Sequence, residues 1–305
     1  MRKIFVLGSI NMDLVISVTS IPEIGESKNG HSFMQNQGGK GANQAVACKK
    51  LGSDDVRLIA CVGKDDNGKA LIASMKHYGI NTEVIKVKEN VSSGVCMIIL
   101  DEEKQDNMLI IDRGANDAIE INDFEKYLRK NASKDDIFIT QLEVNLNAVY
   151  DGLRIAKEIG MFTILNPAPV TEFNMECLKI VDLIIPNETE AKLLTGITAD
   201  LDSNLLEIYK YFFDLGVKEM IVTLGSRGSC YIKDNNLTFC PSFRVEAVDT
   251  TSAGDTFIGA VAMRIASGFK IEESLSFASK CSSITVSRKG AAISIPTKEE
   301  VKNFM

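Results

Sequence analysis

The segment 249–260, "DTTSAGDTFIGA", places two aspartates around a row of small residues, directly before an apolar run. A turn needs one glycine, so the row Ser252, Ala253 and Gly254 predicts that a ligand comes very close to the backbone. If a helix begins near Gly254, its first amides have no partner within the helix and can bind an anion such as a phosphoryl group. Asp255 falls in the first turn of this helix. A carboxylate there is either an ordinary N-terminal charge, which the motif alone favours, or a base that takes a proton from an attacking hydroxyl.

Two segments near the start of the chain carry side chains suited to a sugar. The glycine-rich run "QNQGGKGANQAVA" precedes a predicted helix, and its Gly39, Lys40 and Asn43 bring backbone and hydrogen-bond donors close to a ligand. In "GSINMD", Asn11 and Asp13 occupy alternate positions, hence one side of an extended chain. Together Asn and Asp donate and accept hydrogen bonds, which is what vicinal hydroxyl groups require.

Further polar groups follow predicted strands. Glu143 comes just after "DIFITQL", and "IIPNETEA" supplies Asn187 and Glu190, whose oxygens suit Mg²⁺ or its waters. The turn in "VTLGSRGS" is another place where an anion fits the backbone. Its candidate residues are Thr223, Gly225, Ser226 and Gly228. Because ligands of parallel sheets bind beyond the carboxyl ends of the strands, we expect these groups to line one site.

The pattern of the whole chain predicts such a sheet. Continuous apolar runs alternate with amphipathic helical stretches, which indicates an α/β fold with three α/β/α layers and a mostly parallel central sheet. With no repeat, low-complexity tract or linker, residues 1–305 are expected to form a single domain. Two segments, about 12–36 and 91–113, lack a helix and predict hairpins that pair into a small β-sheet. We interpret this sheet as a lid over the ligand; surface hairpins without a function remain the alternative.

The composition excludes several classes of partner. The net charge of −7 argues against binding to nucleic acid or to an anionic membrane, and no apolar run has the length of a membrane span. Seven Cys residues without a CxxC pair, and only two His residues, argue against zinc and favour reduced thiols. We therefore expect a cytoplasmic protein.

A second phosphate-binding motif is present only in part. The run "GKDDNGKA" at 63–70 fits most of the G-x-x-x-x-G-K-[ST] pattern, but Ala70 has no hydroxyl for magnesium, and Asp65 and Asp66 would repel phosphate. A turn into a helix explains this run better. No G-x-G-x-x-G follows a strand, which argues against a nicotinamide oxidoreductase. A sugar sensor without catalysis is the other alternative, and it would not need Asp255.

Six motifs together resemble those of the PfkB-type carbohydrate kinases. They are "GGKGANQAVA", "LNPAP", "PNETEAKLLTG", "VTLGSRG", "VDTTSAGDTF" and "SRKGA", and the similarity in spacing runs from residue 8 to about 296. The resemblance implies transfer of the γ-phosphoryl group of ATP to the 5-hydroxyl of D-ribose, with Mg²⁺ and activation by K⁺. It also implies a four-stranded lid through which two chains form a homodimer. "QLEV" and "NAVY" are similar to family members that act on 2-deoxyribose, so 2-deoxyribose, a nucleoside or another sugar remains an alternative substrate.

The resemblance assigns a role to each candidate residue. Asp255 would be the general base, with an anion hole formed by the backbone of Ser252, Ala253 and Gly254. The sugar would be held by Asn11, Asp13, Gly39, Lys40, Asn43 and Glu143. ATP and Mg²⁺ would be held by Asn187, Glu190, Thr223, Gly225, Ser226, Gly228 and Gly254, with Ser279 near adenine in place of an expected His. K⁺ would be held by Asp249, Thr251, the carbonyls of Thr285, Arg288 and Gly290, and Ser294.

Overall fold

A computed structural model describes residues 1–104 and 106–304 of the chain. Its strands are β1 (Ile4–Leu7), β2 (Asn11–Val18), β3 (His31–Gly38), β4 (Val56–Gly63), β5 (Ile85–Lys88), β6 (Gly94–Asp101), β7 (Asp106–Asp112), β8 (Ile137–Gln141), β9 (Phe162–Asn166), β10 (Leu183–Ile184), β11 (Glu219–Thr223), β12 (Ser229–Lys233) and β13 (Asn236–Cys240). Its helices are α1 (Lys40–Lys50), α2 (Asp66–His77), α3 (Ile121–Asn131), α4 (Leu146–Ile159), α5 (Glu188–Thr195), α6 (Asp202–Asp214), α7 (Ala253–Ala266), α8 (Ile271–Val286) and α9 (Lys298–Asn303). Within this part of the chain, no helix has the length and apolarity that a bilayer crossing requires.

Nine strands form the large sheet in the order β13-β12-β11-β10-β9-β8-β1-β4-β5. Neighbouring strands from β11 through β5 run parallel, whereas β12 and β13 are antiparallel at one edge. The strands are apolar on both faces, because helices cover both. In β1, Ile4 and Val6 belong to the core under α1, α7 and α8, and Phe5 and Leu7 belong to the core under α3, α4 and α6. The predicted three-layer α/β/α class is confirmed.

A separate four-stranded sheet has the order β3-β2-β6-β7. Its strands come from the two segments for which hairpins were predicted, and β2 pairs in parallel with β6. Gln105, in the predicted hairpin turn, lies outside the described residues. The first strand of the large sheet ends at Leu7, so Asn11 and Asp13 belong to this second sheet. That the second sheet acts as a lid, and that residues 1–305 act as one domain, stay predictions.

Candidate active site

The start of α1 lies against the end of β1, and this contact creates the floor of the site. An added Cβ on Gly41 would lie 2.6 Å from the Cα of Gly8, so neither position accommodates a side chain. Gly39 has φ of +91° and passes over the backbone of Ile10, where its Cβ would be 2.8 Å from Cα. The glycines around Lys40 therefore serve the close packing of two backbone segments, and they bring the first turn of α1 to the carboxyl edge of the sheet.

Asp13 points toward this floor from β2 and is buried. A Cβ on Gly38, the end of β3, would collide with the Asp13 carboxylate. Burial, and next the charge of Glu143, raise the pKa of Asp13 from 3.8 to about 7. The Glu143 carboxylate accepts hydrogen bonds from the Ser9 hydroxyl and from the backbone N–H of Lys40 at 3.1 Å. The structure thus brings these sugar candidates together at one place.

Lys40 carries the positive charge of this pocket. Burial lowers the pKa of Lys40, but three nearby carboxylates outweigh burial and raise the pKa above its ordinary value. They belong to Asp255, Glu143 and Glu190. Lys40 is therefore the common cation between the sugar candidates and the magnesium candidates.

Asp255 is buried in the first turn of α7, where α7 packs against α1. Its carboxylate accepts hydrogen bonds from Asn43 Nδ2 at 3.2 Å and from Gln44 Nε2 at 3.0 Å. Burial raises the pKa of Asp255, although Lys40 and these two amides oppose the rise. The carboxylate is thus held within the polar group that carries Lys40 and Asn43. A base that takes a proton from a ligand bound beside Lys40 and Asn43 would lie here.

The backbone before Asp255 is shaped for an anion. Ser252 adopts left-handed backbone angles, with φ of 61°, and turns the chain into α7. The Ala253 amide donates to the Thr250 carbonyl at 3.2 Å, whereas the Gly254 and Asp255 amides have no acceptor in the described part of the chain. A Cβ on Gly254 would meet no atom within 4 Å. Packing therefore does not require a glycine here, and the open space beside Gly254 suits an anion that approaches the amides.

A cleft of about 760 Å³ opens beside Gly254. Of the predicted residues it is lined by Asn187, Thr223, Gly225, Ser226, Gly228, Ala253, Gly254 and Ser279. Its other walls are formed by the segment 242–247 and by the side of α8 that carries Ser282, Ser283 and Val286. Those walls carry no motif that identifies them in the sequence. Their mixed apolar and hydroxyl character is typical of a site for a small organic ligand.

Asn187 and Glu190 begin α5 with reciprocal hydrogen bonds. Asn187 Oδ1 accepts from the Glu190 amide at 2.8 Å, and the Glu190 carboxylate accepts from the Asn187 amide at 2.9 Å. Burial raises the pKa of Glu190, although the Asn187 amide and Lys40 act against it. Within the described residues, no three His, Cys, Asp or Glu side chains are grouped for a metal. The oxygens here fit Mg²⁺ as it usually binds, through one or two protein groups, waters and phosphates.

The candidate K⁺ residues come from the segment 249–251, from Thr285 at the end of α8 and from the loop that follows α8, and Asp249 links the first and the last of these. Its carboxylate accepts from the Thr251 amide and from the Gly290 amide, each at 2.9 Å. Burial acts to raise the pKa of Asp249, but hydrogen bonds from Thr251 and Gly290 outweigh it and hold the pKa below its ordinary value. Arg288 donates its amide to the Thr285 carbonyl, and Ser294 is buried two turns further on. A carboxylate with nearby loop carbonyls is a donor set that fits a hard monovalent cation.

Three buried amides that the sequence did not single out connect these parts. Gln141, at the end of β8, donates to Gln44 Oε1 at 2.7 Å, and Gln44 Nε2 also donates to Asn166 Oδ1 at 3.3 Å. Asn166 Nδ2 donates to the Ile185 carbonyl at 3.1 Å. Because a carbonyl only accepts, this last bond fixes the direction of the whole chain of amides and turns a Gln44 N–H toward Asp255. In the sequence, the polar Gln44 beside the alanines of "NQAVA" was the feature that could have indicated this network.

In this mostly parallel α/β fold, a buried carboxylate at a helix N-terminus lies between a polar pocket and a cleft. This arrangement is typical of a phosphotransferase that acts on a small molecule. Residues 1–298 match the model of the pfkB family of carbohydrate kinases, and the chain belongs to this family.

The relatives agree on the chemistry and differ in the sugar. The chain is 41% identical over 311 residues to the ribokinase of Schizosaccharomyces pombe, covering 99% of this chain and 97% of the other. It is 33% identical over 303 residues to the deoxyribokinase of Salmonella typhi, covering 99% and 98%. It spans 56% of the bifunctional ribokinase/ribose-5-phosphate isomerase A of Fructilactobacillus sanfranciscensis, with 38% identity over 307 residues and all of this chain covered. Its fold is similar to that of Arabidopsis thaliana ribokinase complexed with ribose and ATP, with a TM-score of 0.91, 30% identity, and 99% and 98% of the chains covered.

Proposed function

We propose that this chain is an ATP-dependent kinase that phosphorylates the 5-hydroxyl of D-ribose to give ribose 5-phosphate. One observation carries the proposal. The Asp255 carboxylate is bound by Asn43 and Gln44 of α1, while Ala253 and Gly254, at the start of the same helix, line the cleft. The first turn of α7 thus borders both the sugar pocket and the nucleotide cleft, as direct transfer between two bound substrates requires.

The sugar pocket orients the hydroxyl that reacts. Asn11 and Asp13 hold vicinal hydroxyls, helped by Gly39, Lys40, Asn43 and Glu143. Asp255 takes the proton of the sugar's 5-hydroxyl while the oxygen of that hydroxyl forms a bond to the γ-phosphorus. At the same time the bond between the γ-phosphorus and the β–γ bridging oxygen breaks, and ADP leaves. Within the anion hole at 252–255, the amides of Gly254 and Asp255, which lack an acceptor among the described residues, stabilise the negative charge on the transferred group.

The cleft places the nucleotide against this helix start. Thr223, Gly225, Ser226 and Gly228 border the phosphates, and Ser279 borders the base. Asn187 and Glu190 would hold Mg²⁺, which would supply positive charge to the phosphates of the nucleotide. K⁺ would be held by Asp249 and Thr251 together with Thr285, Arg288, Gly290 and Ser294. Because 249–251 leads directly into Ser252, this loop positions the backbone of the anion hole.

The second sheet is proposed as a lid and as the contact between two chains. Phe33, Met97 and Ile110 lie on one face of this sheet and are all at least 49% exposed. Large apolar side chains at this density on a small sheet indicate a covered surface, and a second copy of this sheet covers it in the proposed homodimer. We place the enzyme in the cytoplasm, since all seven cysteines are free and buried.

The experiment is an assay of ADP release with ribose, 2-deoxyribose, fructose and nucleosides, each with and without K⁺. Ribose should give the highest kcat/KM, and K⁺ should raise it. A preference for 2-deoxyribose would move the substrate to the second candidate, which the similarity to a deoxyribokinase favours. If no sugar stimulates ADP release, the proposed function is wrong.

A further inference from the structure

Three chain segments meet at the base of the second sheet. Asn11, the first residue of β2, pairs with Gly38 at the end of β3 and with Gly94 at the start of β6. A short helical turn at Gly114–Ala118 follows β7 and brings Asn116 to the same point. Asn116 is 1% exposed, and its side-chain amide makes three hydrogen bonds there.

These bonds fix which way the Asn116 amide faces. The backbone N–H of Ile10 lies 3.0 Å from one terminal atom of the side chain, and since an N–H only donates, that atom is Oδ1. The other atom is therefore Nδ2. It lies 3.3 Å from the Ile10 carbonyl and 2.7 Å from the terminal atom of Asn11, which must accept and is therefore Oδ1.

The orientation of Asn11 follows from this. Its Oδ1 is occupied by Asn116, so its Nδ2 is the group left for a ligand. Asn11 is only 3% exposed, and its Nδ2 has no hydrogen-bond partner among residues 1–104 and 106–304. Asp13 lies two positions along β2 on the same face and offers a carboxylate. The pocket thus presents one fixed donor beside one acceptor.

Gly94 leaves room for this pair of amides. A Cβ at this position would collide both with Nδ2 of Asn116 and with Oδ1 of Asn11. The two amides fill the space that any side chain at the start of β6 needs. The backbone of Gly94 is not in the left-handed region, so its conformation does not require a glycine. The contact between Asn116 and Asn11 explains why position 94 has no side chain.

We propose that Asn116 is a positioning residue for sugar binding: it holds Asn11 as a hydrogen-bond donor and thereby makes the pocket specific for a vicinal diol. This inference rests on the proposed function. A diol oxygen accepts from Asn11 Nδ2, and a neighbouring hydroxyl donates to Asp13. Asn116 itself does not touch the sugar.

The test compares Asn116→Asp with the wild type. The substituted carboxylate keeps the shape but cannot donate to Asn11 Oδ1, so the Asn11 amide is expected to rotate. The KM for ribose should rise about ten- to a hundredfold, as for one lost polar contact, while the KM for ATP stays unchanged. Asn116→Ser removes the amide without adding charge and has the same expected result, which covers a failure of the charged variant to fold. Asn131→Asp is the matched control, because Asn131 also donates its amide to a backbone carbonyl, that of Tyr127, at a distant helix end.

A double-mutant cycle separates positioning from general damage. In an Asn11→Ala background, Asn116→Asp should raise the KM for ribose by less than about threefold, because the group it positions is already gone. A normal KM for ribose in both Asn116 variants would overturn the inference alone, as would equal losses for ribose and ATP, or full additivity in the cycle. A wild type without ribose-stimulated ADP release would overturn the proposed function, and this inference with it.

Discussion

The Gly254→Ala variant tests whether the glycine at this position is needed for folding or for binding of the phosphoryl group. The added methyl would meet no protein atom within 4 Å, and the position is not among the glycines with positive φ. In the first turn of α7, alanine is favoured over glycine by about 0.5–1 kcal/mol. The variant should therefore be as stable as the wild type or melt about 1–2 °C higher.

The same methyl should cost most of the activity. It occupies the space through which a phosphoryl oxygen reaches the Gly254 and Asp255 amides, and loss of one such donor lowers kcat by roughly 10²–10³. Thermal unfolding measures the first effect, and an ADP-release assay measures the second. Ribose affinity, measured by calorimetry, should not change, because the sugar residues lie on the other side of Asp255.

Gly259→Ala is the contrasting variant in the same helix. Its Cβ would lie 2.5 Å from the Ala47 methyl and 2.9 Å from the Gln44 carbonyl, so overpacking should cost about 1–3 kcal/mol and lower the melting temperature. The reasoning about the anion hole is refuted if Gly254→Ala keeps a kcat within about threefold of the wild type. It is refuted equally if that variant loses activity only in proportion to a loss of stability.

Three further perturbations test individual groups of the site. Asp255→Asn should lower kcat by roughly 10²–10⁴ without weakening ATP binding. The control is Asp136→Asn, which changes an equally buried aspartate at the amino end of β8 and should lower stability while kcat stays unchanged. A normal kcat in Asp255→Asn would show that Asp255 is not the base. Because the pKa of Asp13 is raised to about 7, its carboxylate is protonated as the pH falls through 7. The KM for ribose should then rise by about tenfold per pH unit below 7, and a flat profile that matches Asp13→Asn contradicts this. Asp249→Ala should abolish the increase in rate with K⁺, and an undiminished response to K⁺ places the cation elsewhere.

The large sheet could be predicted because its strands are apolar on both faces, whereas the helices between them are amphipathic. The hairpin of β12 and β13 was missed. Its strands form the antiparallel edge of the sheet and lack a regular alternation, and its turn depends on Asp234 and Asn235, both with positive φ. "DNN" was the available signal, because Asp and Asn tolerate that conformation in tight hairpin turns.

The candidate site was predictable where a residue type carries chemistry by itself, and not where its role depends on a partner. Asp255 and Lys40 stand out by charge and by the glycines around them. Gln44, Gln141 and Asn116 are buried neutral amides, and their roles exist only through the atoms they contact across the fold. The walls of the cleft at 242–247 were missed for the same reason, since shape alone selects them.

The packing of α7 on α1 sets the geometry of transfer. The sugar candidates around Lys40 belong to the first turn of α1, and the cleft belongs to β11, α8 and the segment before α7. The start of α7 borders both, and it is fixed by contacts one turn further along, where Cys48 Sγ donates to the Gly259 carbonyl at 3.4 Å. A shift of α7 along α1 would move Asp255 away from Asn43 and carry the anion hole with it. If the proposed roles are right, we expect residues such as Gly259, which touch no substrate, to control the distance between the sugar oxygen and the phosphorus, so small changes there should act on kcat before they act on binding.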